Sequence, residues 1–242
     1  MIIAFLLGHW YLSLFCQTFF LHRFSAHGMY SMRPFWVKFF YFLTYLSQGP
    51  SFLNPKAYSI MHQRHHHYSD TPKDPHSPQH NTSIMKMMMK TYKHYMSCMK
   101  ESKPSDVQQL WPTWKYIDDL AIKPISIFFW AGIYLVIYAN FTTSPWQFLF
   151  LPLHFMMGPM QGAIVNWCGH KMGYRNFPLP DNSKNTLLID FLLLGELYQN
   201  NHHKFSQKSN FAYRWYEWDL GYALISILEF FKIIKKTQTT KV

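Results

Sequence analysis

Apolar and polar positions along this chain fall in blocks. Residues 1–21 (MIIAFLLGHWYLSLFCQTFFL) contain no charged residue, and neither does the stretch from Pro124 to His170. At ~1.5 Å per residue the first block, as a helix, is long enough to cross a ~30 Å hydrocarbon core. It has no positive n-region and no small-residue cleavage site, so it reads as a span rather than a signal peptide. The second block divides at Thr142-Thr143-Ser144-Pro145. It predicts a hairpin of two spans, 124–141 and 146–167, with Pro152 and Pro159 kinking the second. The run Phe35–Leu53 carries Lys38, Gln48 and Pro50. Charge flanks it on sides that must share a compartment, so an amphipathic or re-entrant element is expected. Residues 84–103 (IMKMMMKTYKHYMSCMKESK) predict an interfacial helix with Lys86, Lys90 and Lys93 at i, i+4, i+7. These lysines either snorkel at a membrane surface or form a docking surface for an anionic headgroup or an acidic redox partner.

All 23 Lys and Arg lie in two blocks, Arg23–Lys123 and Lys171–Lys241. The positive-inside rule puts residues 22–123 and 168–242 in the cytoplasm, with the N-terminus and the hairpin tip outside. The expected fold class is all-α integral membrane: one domain over 1–242, about three transmembrane helices, amphipathic helices and a cytoplasmic helical cap. A mean hydropathy of -0.14 averages spans with cap. The net charge of +11 does not point to nucleic acid, because the basic residues share the chain with spans. Charged residues make up only 14%, which with the apolar content excludes intrinsic disorder. Three Cys far apart exclude a disulfide framework and a Cys-based zinc site. No internal repeat, Gly-rich phosphate loop or heptad run is visible.

The chain has 14 His, and most fall in four groups: His22 and His27; His62, His65, His66 and His67; Asn166 with His170; and Gln199 with His202 and His203. On a helix, i, i+3 and i+4 share a face, so His62, His65 and His66 can converge, and so can Asn166 and His170. His22 and His27, five apart, diverge on an ideal α-helix and are expected to meet only if the helix ends between them. Imidazole suits Zn, Cu, Fe and Ni. A set this large exceeds the four ligands of one structural zinc and suffices for two metals. His67 and His76 are expected to be exposed, to shape a loop or to orient ligands. His9, His80, His94 and His154 are expected to be ordinary core or surface residues.

Taken together, the groups resemble the membrane fatty acid desaturases, the acyl-CoA and acyl-lipid delta-9 branch above all. His22-Arg-Phe-Ser-Ala-His27 matches the HxxxxH box and His62-Gln-Arg-His65-His66 the HxxHH box. YSDTPKDPHSP is similar to that branch's continuation, Asn166-Trp-Cys-Gly-His170 to its NxxxH element, and GELYQNNHHKF to its third box. The resemblance covers His22 to about Asp219. It implies a helical membrane fold whose cytoplasmic cap holds two irons and whose bent apolar tunnel holds the acyl chain. It further implies that His22, His27, His62, His66 and His203 bind one iron. His65, His170 and His202 would bind the other, with Asn166 holding a water. Asp74, His76, His67 and Glu196 are candidates for orienting the ligands. The sequence departs from the family in two ways. One span precedes the first box where the family has two, and Gln199 stands where the usual third box has His. Gln199 is a weak oxygen ligand or orients a water.

An unactivated methylene offers no acidic proton and no leaving group, so acid–base or nucleophilic catalysis cannot begin there. The expected activity is O2-dependent insertion of a cis double bond into a saturated acyl chain carried by CoA, acyl carrier protein or lipid. Tunnel walls are expected from Phe5–Phe20, Phe39–Tyr45 and Phe155–Gln161. Electrons are expected from a separate donor such as a ferredoxin or a cytochrome b5-type protein, because no haem, flavin or four-cysteine iron motif is visible. The expected location is a bacterial inner membrane or its equivalent, with the site facing the cytoplasm. Two alternatives stand beside this: a hydroxylase or ketolase with the same histidine chemistry, and a metal-binding membrane transporter or sensor.

Overall fold

A computed structural model describes residues 1–74, 76–102 and 104–237. Lys103 and residues 238–242, the ends of the predicted 84–103 and 168–242 segments, lie outside them. The fold is mostly helical. Helix α1 (Ile2–Cys16) continues without interruption into a π-helical stretch, Gln17–Ala26. Helices α2 (Pro34–Gln48), α3 (Pro55–Tyr68), α4 (Ile84–Lys100), α5 (Lys115–Ala121) and α6 (Pro124–Phe141) follow. A 3-10 turn, Pro145–Phe150, leads into α7 (Leu151–Phe155) and α8 (Met157–Lys171), and α9 (Gln199–Lys204) and α10 (Leu220–Phe230) complete the helices.

Ile2–Ala26 and Pro124–Phe141 are each long and apolar enough to cross a membrane. Their side chains are arranged inside out relative to a soluble core. On α1 the buried positions include His9 and Ser13, with Gln17 one turn further on, while Ile3, Leu7 and Leu12 are exposed. On α6, Ser126, Trp130, Tyr134 and Tyr138 repeat every four residues on the buried side, whereas Ile125, Phe128, Phe129 and Val136 face outward. Polar groups inside and hydrocarbon outside is the arrangement a bilayer selects. The 15-residue α2 follows the same rule. It buries Thr44, Tyr45, Ser47 and Gln48 and exposes Phe35, Phe39, Phe42 and Leu46. The apolar side of this amphipathic element therefore faces out.

The predicted third span is bent. Pro145–Phe155 and Met157–Lys171 meet at 78°. The kink expected from Pro152 and Pro159 is a break at Met156, between them. Each proline lies in the first turn of its own helix, where no N–H bond is lost. Continuing α7 through Pro159 would instead remove a bond and drive the ring into the carbonyl of Phe155. Gly158 permits the close approach of α2 at the break: a Cβ there would stand 3.0 Å from Gln48 Nε2.

Two small sheets tie the cap together. Strand β1 (Tyr30–Met32), just after the first histidine pair, runs antiparallel to β4 (Ile234–Lys236), with Ser31 opposite Lys235. Strands β2 (Ile189–Asp190) and β3 (Trp218–Asp219) pair in parallel. The main core is aromatic, with Phe19, Phe20, Tyr30, Tyr41, Tyr198 and Phe211 fully or almost fully buried.

Candidate metal centre

The π-helical stretch decides the position of the first histidine pair. His27 N–H donates to His22 O at 3.2 Å, an i→i+5 bond. That wider turn stacks residues five apart, so the rings of His22 and His27 stand 5.0 Å apart, centroid to centroid. The helix ends at Ala26, between them as the sequence led us to expect, but it widens before it ends. On α3, His62 and His66 point one way and His65 another, one position round the helix. α8 carries His170 in its last turn, and the short α9 carries His202 and His203 on diverging sides.

Two clusters result, each with ligand atoms within 4.8 Å of one another: His22, His27, His62, His66 and His202; and His65, His170 and His203. All eight predicted ligands are present. The division differs from the one the resemblance implied, because His202 and His203 exchange places. His202 Nε2 lies 3.0 Å from His22 Nε2 and 2.9 Å from His66 Nε2. His203 instead packs against His65 and His170, at 5.1 and 5.0 Å between ring centroids. The clusters adjoin, with His66 and His203 at 4.6 Å.

The donor set fits metal. In the three-histidine cluster each Nδ1–H donates to a carboxylate: His65 to Asp74 at 2.8 Å, His170 to Asp70 at 2.9 Å and His203 to Asp181 at 2.9 Å. That fixes the tautomer and leaves Nε2 as a lone pair, and all three Nε2 atoms are buried without a partner. A carboxylate behind an imidazole with its other nitrogen bare is how metal-binding histidine is held. In the five-histidine cluster the Nε2 atoms form a chain: His27 to His62 at 2.8 Å, His62 to His66 at 3.0 Å, His66 to His202 at 2.9 Å and His202 to His22 at 3.0 Å. Two nitrogens bound at right angles to one ion at ~2.1 Å stand about 3.0 Å apart. Burial, reinforced by the neighbouring histidines, pushes the pKa of His27, His62, His66 and His202 well below the ordinary value. They are neutral, as ligation requires.

The supporting residues are partly those expected. Glu196 accepts from His22 Nδ1 at 2.6 Å and from Thr18. Asp74 also accepts from the backbone N–H of Asp70 and His76, closing the loop after α3. His76 is buried, with its ring 4.5 Å from that of His65 and both nitrogens unpartnered. Of the alternatives for His67, exposure is the one found: its ring meets Tyr68 edge-on at 4.4 Å, because its place on α3 points away from both clusters. Asn166 and Gln199 flank the clusters. Their amide nitrogens donate to Gly162 O and Glu196 O, both at 2.8 Å, which leaves the amide oxygens as the free ends.

Asp70, Asp181, Arg23 and Asp219 were missed. Burial opposes ionisation of Asp70, but His170 and the bonds from Ser77 and Asn182 outweigh it and hold its carboxyl at about 2. Its φ of 58° is a left-handed conformation that Asp tolerates. Arg23 is fully buried. It bridges Asp219 at 2.8 Å and Glu196 at 3.6 Å and lies 3.9 Å over the Phe211 ring. A usable signal existed: the chain has only 12 acidic residues, so one placed near a histidine box is a candidate partner.

A cavity of about 480 Å³ opens beside the clusters. His22 and His62 form part of its wall, and Leu14, Leu53, Phe155, Ala163 and Val165 line it further along. Of the expected wall segments, Phe5–Phe20 and Phe155–Gln161 contribute. Phe39–Tyr45 does not, because Thr44 and Tyr45 face the helices and Phe39 and Phe42 face outward. Pro50–Leu53 and the methionines of α4 take its place.

Comparison with known proteins agrees with this architecture. A profile of the family described as "Fatty acid desaturase" matches residues 1–224. The chain is 26% identical over 223 residues to the Delta-9 desaturase-like 5 protein of Arabidopsis thaliana, covering 88% of this chain and 68% of that one. It is 23% identical to Delta-9 acyl-lipid desaturase 1 of the same plant, covering 86% and 66%. To the Hex-5-enoyl-[acyl-carrier protein] acetylenase of Moorena producens (strain JHB) it is 26% identical, covering 94% and 74%. The chain thus spans about two-thirds to three-quarters of the length of these relatives. With the histidine boxes folded into adjoining clusters and the profile matched over residues 1–224, the chain belongs to the fatty acid desaturase family.

Proposed function

We propose that the chain is an O2-dependent fatty acyl desaturase that inserts a cis double bond, with its eight histidines holding two irons. The observation that carries this is the set of buried, unpartnered Nε2 atoms on His65, His170 and His203, each backed by a carboxylate. Bound iron would supply the oxidising chemistry that no side chain can perform on an unactivated methylene.

The chain's own residues do the rest. His22, His27, His62, His66 and His202 hold one ion, and His65, His170 and His203 hold the other. Asp74, Asp70, Asp181 and Glu196 keep Nδ1 protonated, so each of those imidazoles presents Nε2. Asn166 and Gln199 turn amide oxygens toward the site, to hold water or to ligate weakly. The apolar walls from Leu14, Leu53, Phe155 and Val165 bind the acyl chain and exclude water. The bend at Met156 and Gly158 shapes that wall, and so sets which methylene lies beside His22 and His62. Selectivity then rests on positioning, where a small displacement costs rate heavily. Residues 22–123 and 168–242 face the cytoplasm, and electrons arrive from a separate ferredoxin or cytochrome b5-type protein.

The test is expression in a host lacking unsaturated fatty acids, with donor and iron supplied and His65→Ala as control. New cis double bonds that vanish in the variant are expected. A hydroxylated lipid without a double bond would replace this proposal with hydroxylation at the same site.

A further inference from the structure

α4 has two faces. Met87, Thr91 and Cys98 turn inward, where the helix packs on α3 and α8. Met85, Met89, Tyr92 and Met96, at i, i+4, i+7 and i+11, form a single outward stripe with exposures of 64%, 59%, 61% and 39%. Beside it runs a row of Lys86, Lys90 and Lys93. Residues 81–100 contain no acidic residue, and Lys86 and Lys93 have no carboxylate partner among the described residues. Lys90 Nζ donates to Asp74 O at 3.2 Å.

The stripe, the lysines and the cavity are continuous. Met85 and Met89 line both the cavity and a shallow groove formed with Lys86, Lys90 and Lys93. Just inside, Thr91 Oγ1 and both ring nitrogens of His76 are buried without partners, and both residues line the cavity. The groove offers the lysines to a phosphate, and the cavity it adjoins offers Thr91 and His76 to a carbonyl and apolar walls to a hydrocarbon chain.

We propose that the outer face of α4 lies in the membrane interface and docks an anionic phospholipid there, with its phosphate on Lys86, Lys90 and Lys93 and one acyl chain in the cavity. Resting on the desaturase proposal, this makes the acyl carrier a phospholipid. The apolar stripe argues against a soluble carrier. Four large apolar side chains beside a cationic row would stand in water between visits of a soluble thioester, whereas a lipid leaflet covers them throughout.

The test reads binding without turnover. Full-length protein in nanodiscs is titrated with spin-labelled phosphatidylglycerol, and the immobilised fraction is measured. The K86Q/K90Q/K93Q variant is expected to bind about fivefold more weakly per lysine removed, on the order of 100-fold in all. A diacylglycerol lacking phosphate should bind both proteins alike. In a second measurement, Tyr92 is replaced by the photocrosslinker p-benzoylphenylalanine and the adducts are identified by mass spectrometry; phospholipid adducts are expected. Unchanged phosphatidylglycerol affinity in the variant overturns the proposal, and so does displacement of the lipid by an equimolar acyl-CoA or acyl-acyl carrier protein. If the lipid binds as described but no double bond forms, the desaturase proposal falls and the docking surface stands.

Discussion

Two sets of buried histidines occupy this molecule, one in the cap and one among the spans. His9 on α1 and His154 on α7 lie as close together as any cap pair, with Nδ1 to Nδ1 at 2.6 Å. Yet this pair is closed to metal. His9 Nε2 contacts Ser47 O at 2.6 Å, and a carbonyl can only accept, so Nε2 carries the proton. Neutral His9 then accepts at Nδ1 from His154 Nδ1–H, and His154 Nε2 accepts from the Tyr138 hydroxyl at 3.0 Å. Every ring nitrogen has one partner and one role. In the cap, carboxylates occupy Nδ1 of His22, His65, His170 and His203, and the Nε2 atoms of His65, His170 and His203 are buried without a partner. Burial and proximity alone therefore do not mark a ligand; an unspent lone pair does. This also weighs against a transport path, because His9 and His154 are fully committed to each other and to the helices around them.

The comparison breaks most sharply at His65. His65→Ala removes a ligand from the smaller cluster and leaves Asp74 facing a void. Desaturation is expected to fall to background and the metal content to drop below two ions per chain by elemental analysis. The α-helical circular dichroism should persist. A variant that keeps both metals would show that the cap histidines are as structural as the pair in the spans.

Acid tests the cap next. His27, His62, His66 and His202 have folded-state pKa values well below the ordinary 6.5. Below about pH 6.5 the unfolded chain binds protons that the folded chain does not, so stability falls as pH falls. Each such histidine contributes a slope of up to about 1.4 kcal/mol per pH unit. Metal-free protein should therefore melt progressively lower between pH 7 and 5, and metal loading should restore the melting temperature in the upper part of that window. A melting temperature flat across it would mean that the cluster opens and hydrates when empty.

The same lone-pair logic explains what the sequence could and could not reveal. Helical spacing was enough for His62 and His66, which are separated by one turn and share a cluster. The blocks free of charge predicted α1 and α6, because hydrocarbon tolerates no charge in those positions. His22 and His27 could not be placed, because a π-helical turn leaves no mark in the hydrophobic pattern. The division of His202 and His203 was equally hidden: neighbours on a six-residue helix point to different clusters, and only the packing of α9 decides which. Asp70 and Asp181 belong to loops, where no periodicity relates a carboxylate to the histidine it holds. The break at Met156 was half visible. The prolines predicted a bend, but its 78° angle depends on α2 packing against Gly158.

The carboxylates offer a finer cut. Asp70→Asn and Asp181→Asn keep the shape but weaken the hold on Nδ1–H of His170 and His203. Loss of such a partner lowers metal affinity or activity about 10- to 100-fold. Metal titration should show the loss in one of two sites, and desaturation should fall with it. Equal loss at both sites would mean that the clusters behave as one unit rather than as a five-histidine and a three-histidine site.

The smallest expected effect lies in the spans. His9→Leu strands His154 Nδ1–H and Ser47 O where no water can reach them, and an unpaired buried group costs about 1–3 kcal/mol. His154→Leu strands the Tyr138 hydroxyl and His9 Nδ1 at similar cost. The double variant should lose less than the sum, because each substitution removes a group that the other had orphaned. Both single variants should keep two metals and an unchanged product profile, with the loss confined to thermal stability. The matching change in the cap has the opposite sign. In metal-free protein, His66→Leu leaves the Nε2 atoms of His62 and His202 with His27 and His22 as partners and is expected to be neutral or stabilising, while in metal-loaded protein it is destabilising. A metal-dependent reversal at His66 and none at His9 would establish that the two histidine sets differ in kind, with the spans spending their lone pairs on the fold and the cap reserving them for an ion.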